Sequence, residues 1–339
     1  MATSHPEFDK HTTGTDVAEA FASQISGKNV IITGVGPNNL GEALALAIGS
    51  QQPAKLFLAS RTESKVQQVA DEVGKLYPEV SIVAVALNLA SQKSIHAAAV
   101  HIQGLTDRID ILINNAGVML LNPEKTEEGI EMQFGTNHIG PFLFTNLLMP
   151  QLKHAAKLSE PGSTRIVNVT SAGYQISPIR FHDYNIEGKE VSLDERPPDR
   201  VPAMFNMTAP GYNGWIGYGQ SKTANILFAL YLTHNLAKDG IVSYGVHPGS
   251  IETGLSRSLD DDGYAIISKT NDFWKTADQG AAGMLVAAFD PNLNSVSEPS
   301  AVYLSDCQFD ELQPHATSLD VAERLFRLSE ELVGMQFPL

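Results

Sequence analysis

The sequence predicts an α/β protein built on a doubly wound parallel sheet. Short runs rich in Val, Ile and Leu, typical of strands buried on both faces, alternate along the chain with helical stretches. No internal repeat and no low-complexity linker divides the 339 residues. A chain of this length can bury one large core, so the pattern favours a single domain with irregular excursions.

The predicted strands and helices alternate in chain order. A short capped helix at 16–25 comes first, in an N-terminal extension of residues 1–26, and the core domain spans 27–339. The predicted strands lie at 29–33, 55–59, 81–87, 110–113, 165–169, 241–246 and 301–304. The later helices lie at about 41–51, 63–76, 92–104, 129–152 with a bend near Pro141, from Tyr218 onward, 277–288 and 319–333. Two excursions, at 172–217 and 250–275, follow the fifth and sixth strands.

Composition and charge exclude several classes of partner. Asp and Glu number 38 against 23 Lys and Arg, for a net charge of −15, and this field repels nucleic acid and anionic membrane surfaces. The absence of any apolar run of roughly 18 residues predicts that no segment spans a membrane. The single cysteine, Cys307, and the lack of clustered histidines predict no internal disulfide and no metal site. Neither end has a targeting pattern, so a cytoplasmic location is expected.

Tyr218 and Lys222 are the first candidate catalytic pair. They are four residues apart in a helical stretch, so their side chains lie on one face as close neighbours. A nearby ammonium favours tyrosinate, and we expect it to lower the pKa of the phenol toward neutral pH. Such a phenol can exchange a proton with a substrate hydroxyl or carbonyl. The alternative is a surface tyrosine and lysine on an ordinary helix.

A glycine-rich turn connects the first strand to the helix after it. Residues 33–41 have the sequence Thr-Gly-Val-Gly-Pro-Asn-Asn-Leu-Gly. At this place the backbone can approach a pyrophosphate, whose charge then meets a helix N-terminus. The candidate cofactor contacts here are Gly34, Asn39, Leu40 and Gly41. The turn predicts that the core domain binds a dinucleotide, with a plain strand-to-helix connection as the alternative.

Arg61 follows the second strand, where a site that prefers NAD usually has an acidic residue. A guanidinium there suits a ribose 2′-phosphate, which arginine binds in bidentate fashion. The sequence therefore predicts NADPH in preference to NADH as the cofactor. The alternative is a solvated arginine at the start of a helix.

Three further segments accompany the glycine turn and the tyrosine–lysine pair. They are Asn114-Asn115-Ala116-Gly117, Thr136-Asn137-His138 and Val169-Thr170-Ser171. With them the chain, from about residue 27 to 305, resembles the short-chain dehydrogenase/reductase family, which has a Rossmann fold. Residues 136–145 and 218–229 are most similar to the retinol-dehydrogenase and WW-domain-oxidoreductase-like group, including its fungal members.

The resemblance implies a catalytic tetrad and a set of cofactor contacts. The tetrad falls on Asn137, Ser171, Tyr218 and Lys222. Tyr218 would exchange the proton with the substrate, and Lys222 would hold the ribose hydroxyls of the nicotinamide nucleotide. Ser171 would hydrogen-bond the substrate oxygen, and Asn137 would support a water that leads protons to solvent. The further cofactor contacts implied are Asn88, Leu89, Asn114, Ala116, Gly117, Pro248, Gly249, Ile251 and Thr253.

The sequence departs from the family pattern in three places. The glycine turn is one residue longer, and Asn38 and Asn39 occupy the region of its middle glycine, where asparagine tolerates left-handed geometry. Asn88 replaces the aspartate that often follows the third strand. The gap between Ser171 and Tyr218 is long, which bears on the choice of substrate rather than on the chemistry.

The expected function is that of an NADPH-dependent oxidoreductase, which interconverts a carbonyl and an alcohol on a hydrophobic small molecule. A sugar-nucleotide epimerase or dehydratase and a cofactor-binding regulatory protein without turnover are the alternatives. Tyr212, Trp215 and Phe273 either line a substrate pocket or pack the excursions. A homo-oligomer that pairs through the long helix and the Tyr218 helix is left open.

Overall fold

The structure is a computed structural model that describes residues 2–203, 205, 211–251, 273–295 and 301–339. Within these ranges eight strands form one sheet, in the order β3-β2-β1-β4-β5-β6-β7-β8. The strands are β1 (Asn29–Thr33), β2 (Lys55–Ser60), β3 (Ser81–Ala86), β4 (Ile111–Asn114), β5 (Thr164–Val169), β6 (Ile241–His247), β7 (Tyr303–Ser305) and β8 (Gln308–Phe309). Strands β1 to β7 are parallel, which confirms the predicted doubly wound α/β fold.

Helices cover both faces of this sheet. They are α1 (Gly14–Ala20), α2 (Ala22–Ile25), α3 (Leu40–Gly49), α4 (Glu63–Leu76), α5 (Gln92–Gln103), α6 (Met132–Phe134), α7 (Gly140–Leu147), α8 (Met149–Lys157), α9 (Gly214–Leu236), α10 (Ala277–Phe289) and α11 (Leu319–Val333). One apolar cluster joins α1, α3, α4 and α10 to one face, and a second joins α5, α7, α9 and α11 to the other. Because both faces are covered, strands can be apolar throughout, and every residue of β4 is buried.

The sequence does not predict β8. This strand pairs antiparallel with β7 across the two-residue turn formed by Asp306 and Cys307. Both turn residues are left-handed, with φ of 48° and 67°, as a hairpin loop of two residues requires. A strand of two residues leaves no periodic pattern, and Asp-Cys is not among the residue pairs that usually form such turns.

The prediction of one long helix at 129–152 is wrong both in its limits and in the bend that it puts near Pro141. The segment consists of α6, a π-helical turn (Gly135–Ile139), α7 and α8. Pro141 lies in the first turn of α7, and a second break at Leu148 precedes Pro150 in the first turn of α8. Proline fits a first turn because its missing N–H has no helical partner there. Both prolines therefore begin helices rather than bend one.

Helix α9 begins at Gly214 and not at Tyr218 as predicted. Asn213 caps it, since its side-chain oxygen accepts hydrogen bonds from the backbone N–H groups of Trp215 (3.0 Å) and Ile216 (3.1 Å). Tyr218 consequently lies in the second turn of an established helix, which fixes the direction of its side chain. Among the described helices, none combines the length and the apolar character needed to cross a membrane.

Helix α11 covers the outer side of α7 and α9. Phe326 stacks on Tyr231 of α9 with ring centroids 4.2 Å apart and packs edge-on against Phe142 of α7. Ser329 lies 2.9 Å from His138 of the π-helical turn (Oγ to Nε2). The C-terminal helix of the same chain thus covers part of the long helical segment and part of α9.

Candidate active site

The candidate catalytic residues meet at the carboxyl ends of β4, β5 and β6. Ser171 follows β5, and Tyr218 and Lys222 lie in α9, which packs against β5 and β6. Asn137 reaches the same place from the π-helical turn, since its side chain donates to Ser221 of α9 (Nδ2 to Oγ, 2.9 Å). Three segments far apart in the sequence therefore build one site at the edge where parallel sheets place their ligands.

The phenol of Tyr218 is buried against the backbone of the turn after β5. Its ring lies so close to Gly173 that a Cβ there would be 2.9 Å from Cε1. Burial raises the pKa of Tyr218 to about 12, an effect that the Ser171 hydroxyl partly opposes. The expected lowering of this pKa toward neutral pH is therefore wrong, because burial determines the shift and the Lys222 ammonium lies 5.5 Å from the ring centroid.

Lys222 is a buried cation that has no carboxylate partner in the described part of the chain. Its ammonium donates to the carbonyl of Val169 (3.2 Å), and burial lowers its pKa to about 8. A Cβ on Gly117 would lie 3.3 Å from Nζ and 3.4 Å from Oδ1 of Asn137. Glycine therefore keeps open the space in front of the ammonium, whose two further N–H groups remain for a ligand.

Asn137 uses its side chain to hold the loop after β4. Its Nδ2 donates to the carbonyl of Val118 (2.9 Å), and its Oδ1 accepts from the N–H of the same residue (2.7 Å). The same Nδ2 reaches Ser221, whose hydroxyl donates to the carbonyl of Tyr218 (2.8 Å). These bonds commit the amide to joining that loop to α9.

The glycine turn brings the end of β1 against the loop after β4. Gly34 has φ of +76°, and a Cβ there would lie 2.7 Å from Cα of Ala116. A Cβ on Gly41 would lie 2.8 Å from the carbonyl oxygen of Gly34. Backbone atoms block a side chain at either position, so both predicted glycines have a steric reason to be there.

Asn38 and Asn39 close the turn in place of a glycine. Asn38 has φ of 57°, so the expected left-handed geometry is confirmed. Asn39 caps α3, since its Oδ1 accepts from the N–H of Glu42 (3.1 Å). Within the described residues the backbone N–H groups of Leu40 and Gly41 have no acceptor, so they are available to an anion at the start of α3.

The strands on the far side of β1 are followed by Arg61 and Asn88. Arg61 is exposed and forms no ion pair with any described residue. Asn88 is half-buried, and its Oδ1 accepts from the N–H of Ala90 (3.2 Å), which leaves that oxygen one further lone pair. Leu89 is buried and packs against Gly140 of α7, so the structure gives it a packing role.

Asn114 and Thr33 hold the loop after β4 to the sheet. Asn114 is buried, and its Nδ2 donates to Oδ1 of Asn168 in β5 (3.0 Å), whereas its own Oδ1 has no partner among the described residues. Thr33, which sequence reasoning missed, accepts through Oγ1 from the N–H groups of Asn115 (3.0 Å) and Ala116 (3.1 Å). Its position at the end of β1, directly before Gly34 of the glycine turn, could have identified it from the sequence.

The turn after β6 contacts Lys275, which the sequence does not predict as a site residue. Pro248 and Gly249 form this turn, and Gly249 has φ of +91°. A Cβ on Gly249 would lie 2.7 Å from Cδ of Lys275. Ile251 forms a parallel bridge with Lys275, and Thr253 lies outside the described residues.

The three aromatic residues at the excursions differ in their surroundings. Tyr212 donates its hydroxyl to Oε1 of Glu131 (2.7 Å), a buried carboxyl that also caps α6. Phe273 packs against the N-terminal extension, where its ring lies edge-on to that of His11 with centroids 4.7 Å apart. Trp215 is partly exposed and precedes Tyr218 by one helical turn. Tyr212 and Phe273 therefore pack the excursions, and Trp215 also contacts an excursion, since its ring lies edge-on to that of Phe205 with centroids 5.1 Å apart.

Comparison with known proteins gives the family. A model of the short chain dehydrogenase family matches residues 28–185. Oxidoreductase fscI of Fusarium equiseti is 37% identical over 71% of this chain and 94% of its own length. Retinol dehydrogenase 12 of Mus musculus is 32% identical over 93% of this chain and 89% of its own. The solved structure of NADPH-bound carbonyl reductase from chicken fatty liver shares the fold, with a TM-score of 0.56 and 21% identity over 83% of this chain and 97% of that one.

The fold and these relatives define an NAD(P)-dependent oxidoreductase that acts on carbonyl and alcohol groups. The chain belongs to the short-chain dehydrogenase/reductase family and is similar to its retinol-dehydrogenase-like group. The resemblance drawn from the sequence motifs is confirmed.

Proposed function

We propose that this chain is an NADP(H)-dependent enzyme that interconverts a carbonyl and an alcohol on an apolar small molecule, with Tyr218 as general acid and base. The proposal rests on one observation. The Tyr218 phenol and the Ser171 hydroxyl meet beside Gly173, and the Lys222 ammonium lies 5.5 Å from the centroid of the phenol ring. Proton transfer, binding of the substrate oxygen and binding of the cofactor ribose each need one of these three groups.

The residues around the glycine turn fit a dinucleotide. Gly34 and Gly41 permit close backbone approach, and the free N–H groups at the start of α3 suit a pyrophosphate. Gly117 leaves room in front of Lys222, whose spare N–H groups suit ribose hydroxyls. The bound dinucleotide would supply or accept the hydride, while residues of this chain position it and handle the proton.

The protonation state of Tyr218 supports reduction of a carbonyl. Because burial raises its pKa to about 12, the phenol keeps its proton at neutral pH and can donate it to the substrate oxygen. Ser171 accepts from the N–H of Gly173 (3.1 Å) and is hydrogen-bonded to the Tyr218 phenol, so a substrate oxygen that binds at the phenol can also accept from the Ser171 hydroxyl as negative charge develops. The ammonium of Lys222 then stabilises the tyrosinate that remains.

Arg61 supports a preference for NADP(H). Its guanidinium is exposed directly after β2, and no carboxylate of the described residues neutralises it. A ribose 2′-phosphate would offer it two oxygens for a bidentate contact. The position also lacks the acidic side chain that would bind the 2′-hydroxyl of NAD.

An apolar substrate is supported by the side chains at the start of α9. Trp215 is partly exposed and lies one turn before Tyr218. Leu120 and Leu121 of the loop after β4 are partly exposed and lie against Gly214, where a Cβ would be 2.6 Å from Cα of Leu121. These apolar groups and the phenol are therefore at the same end of the helix.

A substrate screen tests the proposal. Purified protein with NADPH and a panel of aldehydes, ketones and quinones is expected to consume NADPH, and faster with apolar members of the panel than with polar ones. The matched control is Tyr218→Phe, which lacks only the hydroxyl. Silence across the panel with NADPH bound would favour a cofactor-binding regulatory protein, and turnover of sugar nucleotides alone would favour an epimerase or dehydratase.

A further inference from the structure

Lys275 is a nearly buried cation beside the turn that follows β6. Its side chain is 4% exposed, and its ammonium forms an ion pair with Asp306 (Nζ to Oδ1, 2.6 Å), whose side chain is 48% exposed. A buried ammonium is destabilising unless it is paired. The carboxylate of Asp306 therefore decides the direction in which the Lys275 side chain lies.

The methylene groups of Lys275 fill the space beside Gly249. A Cβ on Gly249 would lie 2.7 Å from Cδ and 2.8 Å from Cε of the lysine. The backbone N–H of Lys275 also donates to the carbonyl of Ser250 (2.8 Å), and its backbone bridges Ile251 in parallel. One residue thus contacts three consecutive residues of the turn.

Asp306 lies in the β7–β8 hairpin, which is held in place by other parts of the chain. It is the first residue of the left-handed turn between β7 and β8. Gln308, directly after that turn, donates through Nε2 to the carbonyls of His5 (3.0 Å) and Phe8 (2.8 Å). The hairpin is therefore bound both to the sheet and to the N-terminal extension, so it can serve as an anchor for Lys275.

The charge of Lys275 also affects the pKa of His247, the last residue of β6. Burial first, and then the Lys275 ammonium, lower the pKa of His247 to about 4, with a smaller contribution from Lys222. Asp306 and Asp310 act in the opposite direction. Lys275 therefore shares the electrostatic environment of the candidate site and does not belong to a remote surface.

We propose that Lys275 is a positioning residue, which braces the Pro248–Gly249 turn against the β7–β8 hairpin through its ion pair with Asp306. The inference rests on the proposed function, because Pro248 and Gly249 are among the cofactor contacts that the family resemblance implies. With the ion pair in place, the Pro248–Gly249 turn keeps one conformation against the bound cofactor. Without it the turn samples others, and the geometry of hydride transfer is lost.

Amide hydrogen exchange tests the brace in the absence of any cofactor. Lys275→Met keeps most of the aliphatic volume and removes the charge, and Asp306→Asn removes the charge of the partner. Both variants are expected to speed exchange in the peptide that covers residues 248–251 by about 10-fold or more, as the loss of a charged hydrogen bond implies. Lys153→Met is the matched control, because it removes another lysine–carboxylate pair, with Asp239 at 3.1 Å.

Steady-state kinetics tests the consequence for the reaction. In Lys275→Met and in Asp306→Asn, kcat/KM for NADPH is expected to fall about 10- to 100-fold. The double variant should lose no more kcat/KM than the more impaired of the two single variants, because the pair acts as one unit. Lys153→Met should retain wild-type kinetics.

The brace and the proposed function fail in different ways. Unchanged exchange at residues 248–251, or losses in kcat/KM that simply add in the double variant, would overturn the brace. A wild-type protein that binds no NADP(H) would overturn the proposed function, and the exchange measurement would still decide the brace.

Discussion

The ammonium of Lys222 lies 5.5 Å from the ring centroid of Tyr218, and both groups are buried. Burial shifts their pKa values in opposite directions: it raises that of the phenol to about 12 and lowers that of the ammonium to about 8. The site thus combines a protonated tyrosine with a lysine whose charge is lost just above neutral pH. This pair sets the pH dependence of the proposed reaction.

We expect kcat/KM for NADPH to fall as the pH rises through about 8. Lys222 is charged below this value and neutral above it, since burial lowers its pKa to about 8. The neutral amine binds ribose hydroxyls less strongly and no longer stabilises a tyrosinate. A pH series of kcat/KM reports the free enzyme and so measures this titration. Lys222→Arg stays charged and should give a flatter profile, whereas a wild-type profile level up to about pH 10 would contradict the assignment.

Gly173→Ala is expected to displace the phenol of Tyr218. The new Cβ would lie 2.9 Å from Cε1 and 3.0 Å from Cδ1 of the ring, so the ring must move. Because a misplaced catalytic group is costly, kcat should fall by about 100-fold while NADPH binding is retained. Kinetics together with a fluorescence titration of NADPH measures both quantities.

Gly74→Ala in α4 is the matched control for that substitution. The nearest atom to its added Cβ is Cδ1 of Ile82 at 3.7 Å, an ordinary contact. We expect unchanged kcat and a gain in unfolding free energy of up to about 1 kcal/mol, since alanine favours a helix over glycine. Equal kcat in both variants would show that the ring is not held by Gly173.

His138 is expected to make the protein less stable as the pH falls below about 6.5. Burial lowers its pKa to about 3, so the folded state keeps the imidazole neutral where the unfolded chain binds a proton. Between those two pKa values the unfolded state holds more protons, and the unfolding free energy falls by up to about 1.4 kcal/mol per pH unit. His138→Phe should reduce this slope in urea unfolding at about pH 7, 6 and 5.

Part of the slope should remain in the variant. His247 is another buried imidazole, and its pKa is lowered to about 4, chiefly by burial. Identical slopes for wild type and His138→Phe would show that His138 does not titrate as its burial requires.

Arg61→Asp is expected to weaken the use of NADPH and to spare that of NADH. Removal of a charged hydrogen-bond pair to the 2′-phosphate should lower kcat/KM for NADPH about 10- to 100-fold. Lys65→Asp in α4 is the control, since it makes the same change of charge nearby. Kinetics with both cofactors measures the outcome, and a wild-type preference for NADH would contradict the assignment of NADP(H).

The features that depend on local sequence could be predicted. Tyr218 and Lys222 share a helix face because of their spacing alone, and they do lie together. Gly34 and Asn38 both have positive φ, as expected for a glycine and an asparagine in a tight turn. The parallel sheet follows likewise from the alternation of apolar strands with helices.

The features that depend on distant contacts could not be predicted. Lys275 acquires its role only from Asp306, which lies in a hairpin too short to leave a pattern. A sequence motif marks Asn137 as a candidate, but its bonds to Val118 are visible only once the loop after β4 is folded beside it. The raised pKa of Tyr218 also depends on distant contacts, because the spacing reveals the neighbouring lysine and not the burial that raises this pKa.

The turnover of Tyr218→Phe is the most direct test of the central claim that this phenol transfers the proton. The variant lacks only the hydroxyl, so its ring can still pack against Gly173. We predict that kcat falls about 10²- to 10⁴-fold while the Kd for NADPH keeps its wild-type value. Near-normal turnover with NADPH bound would contradict the account.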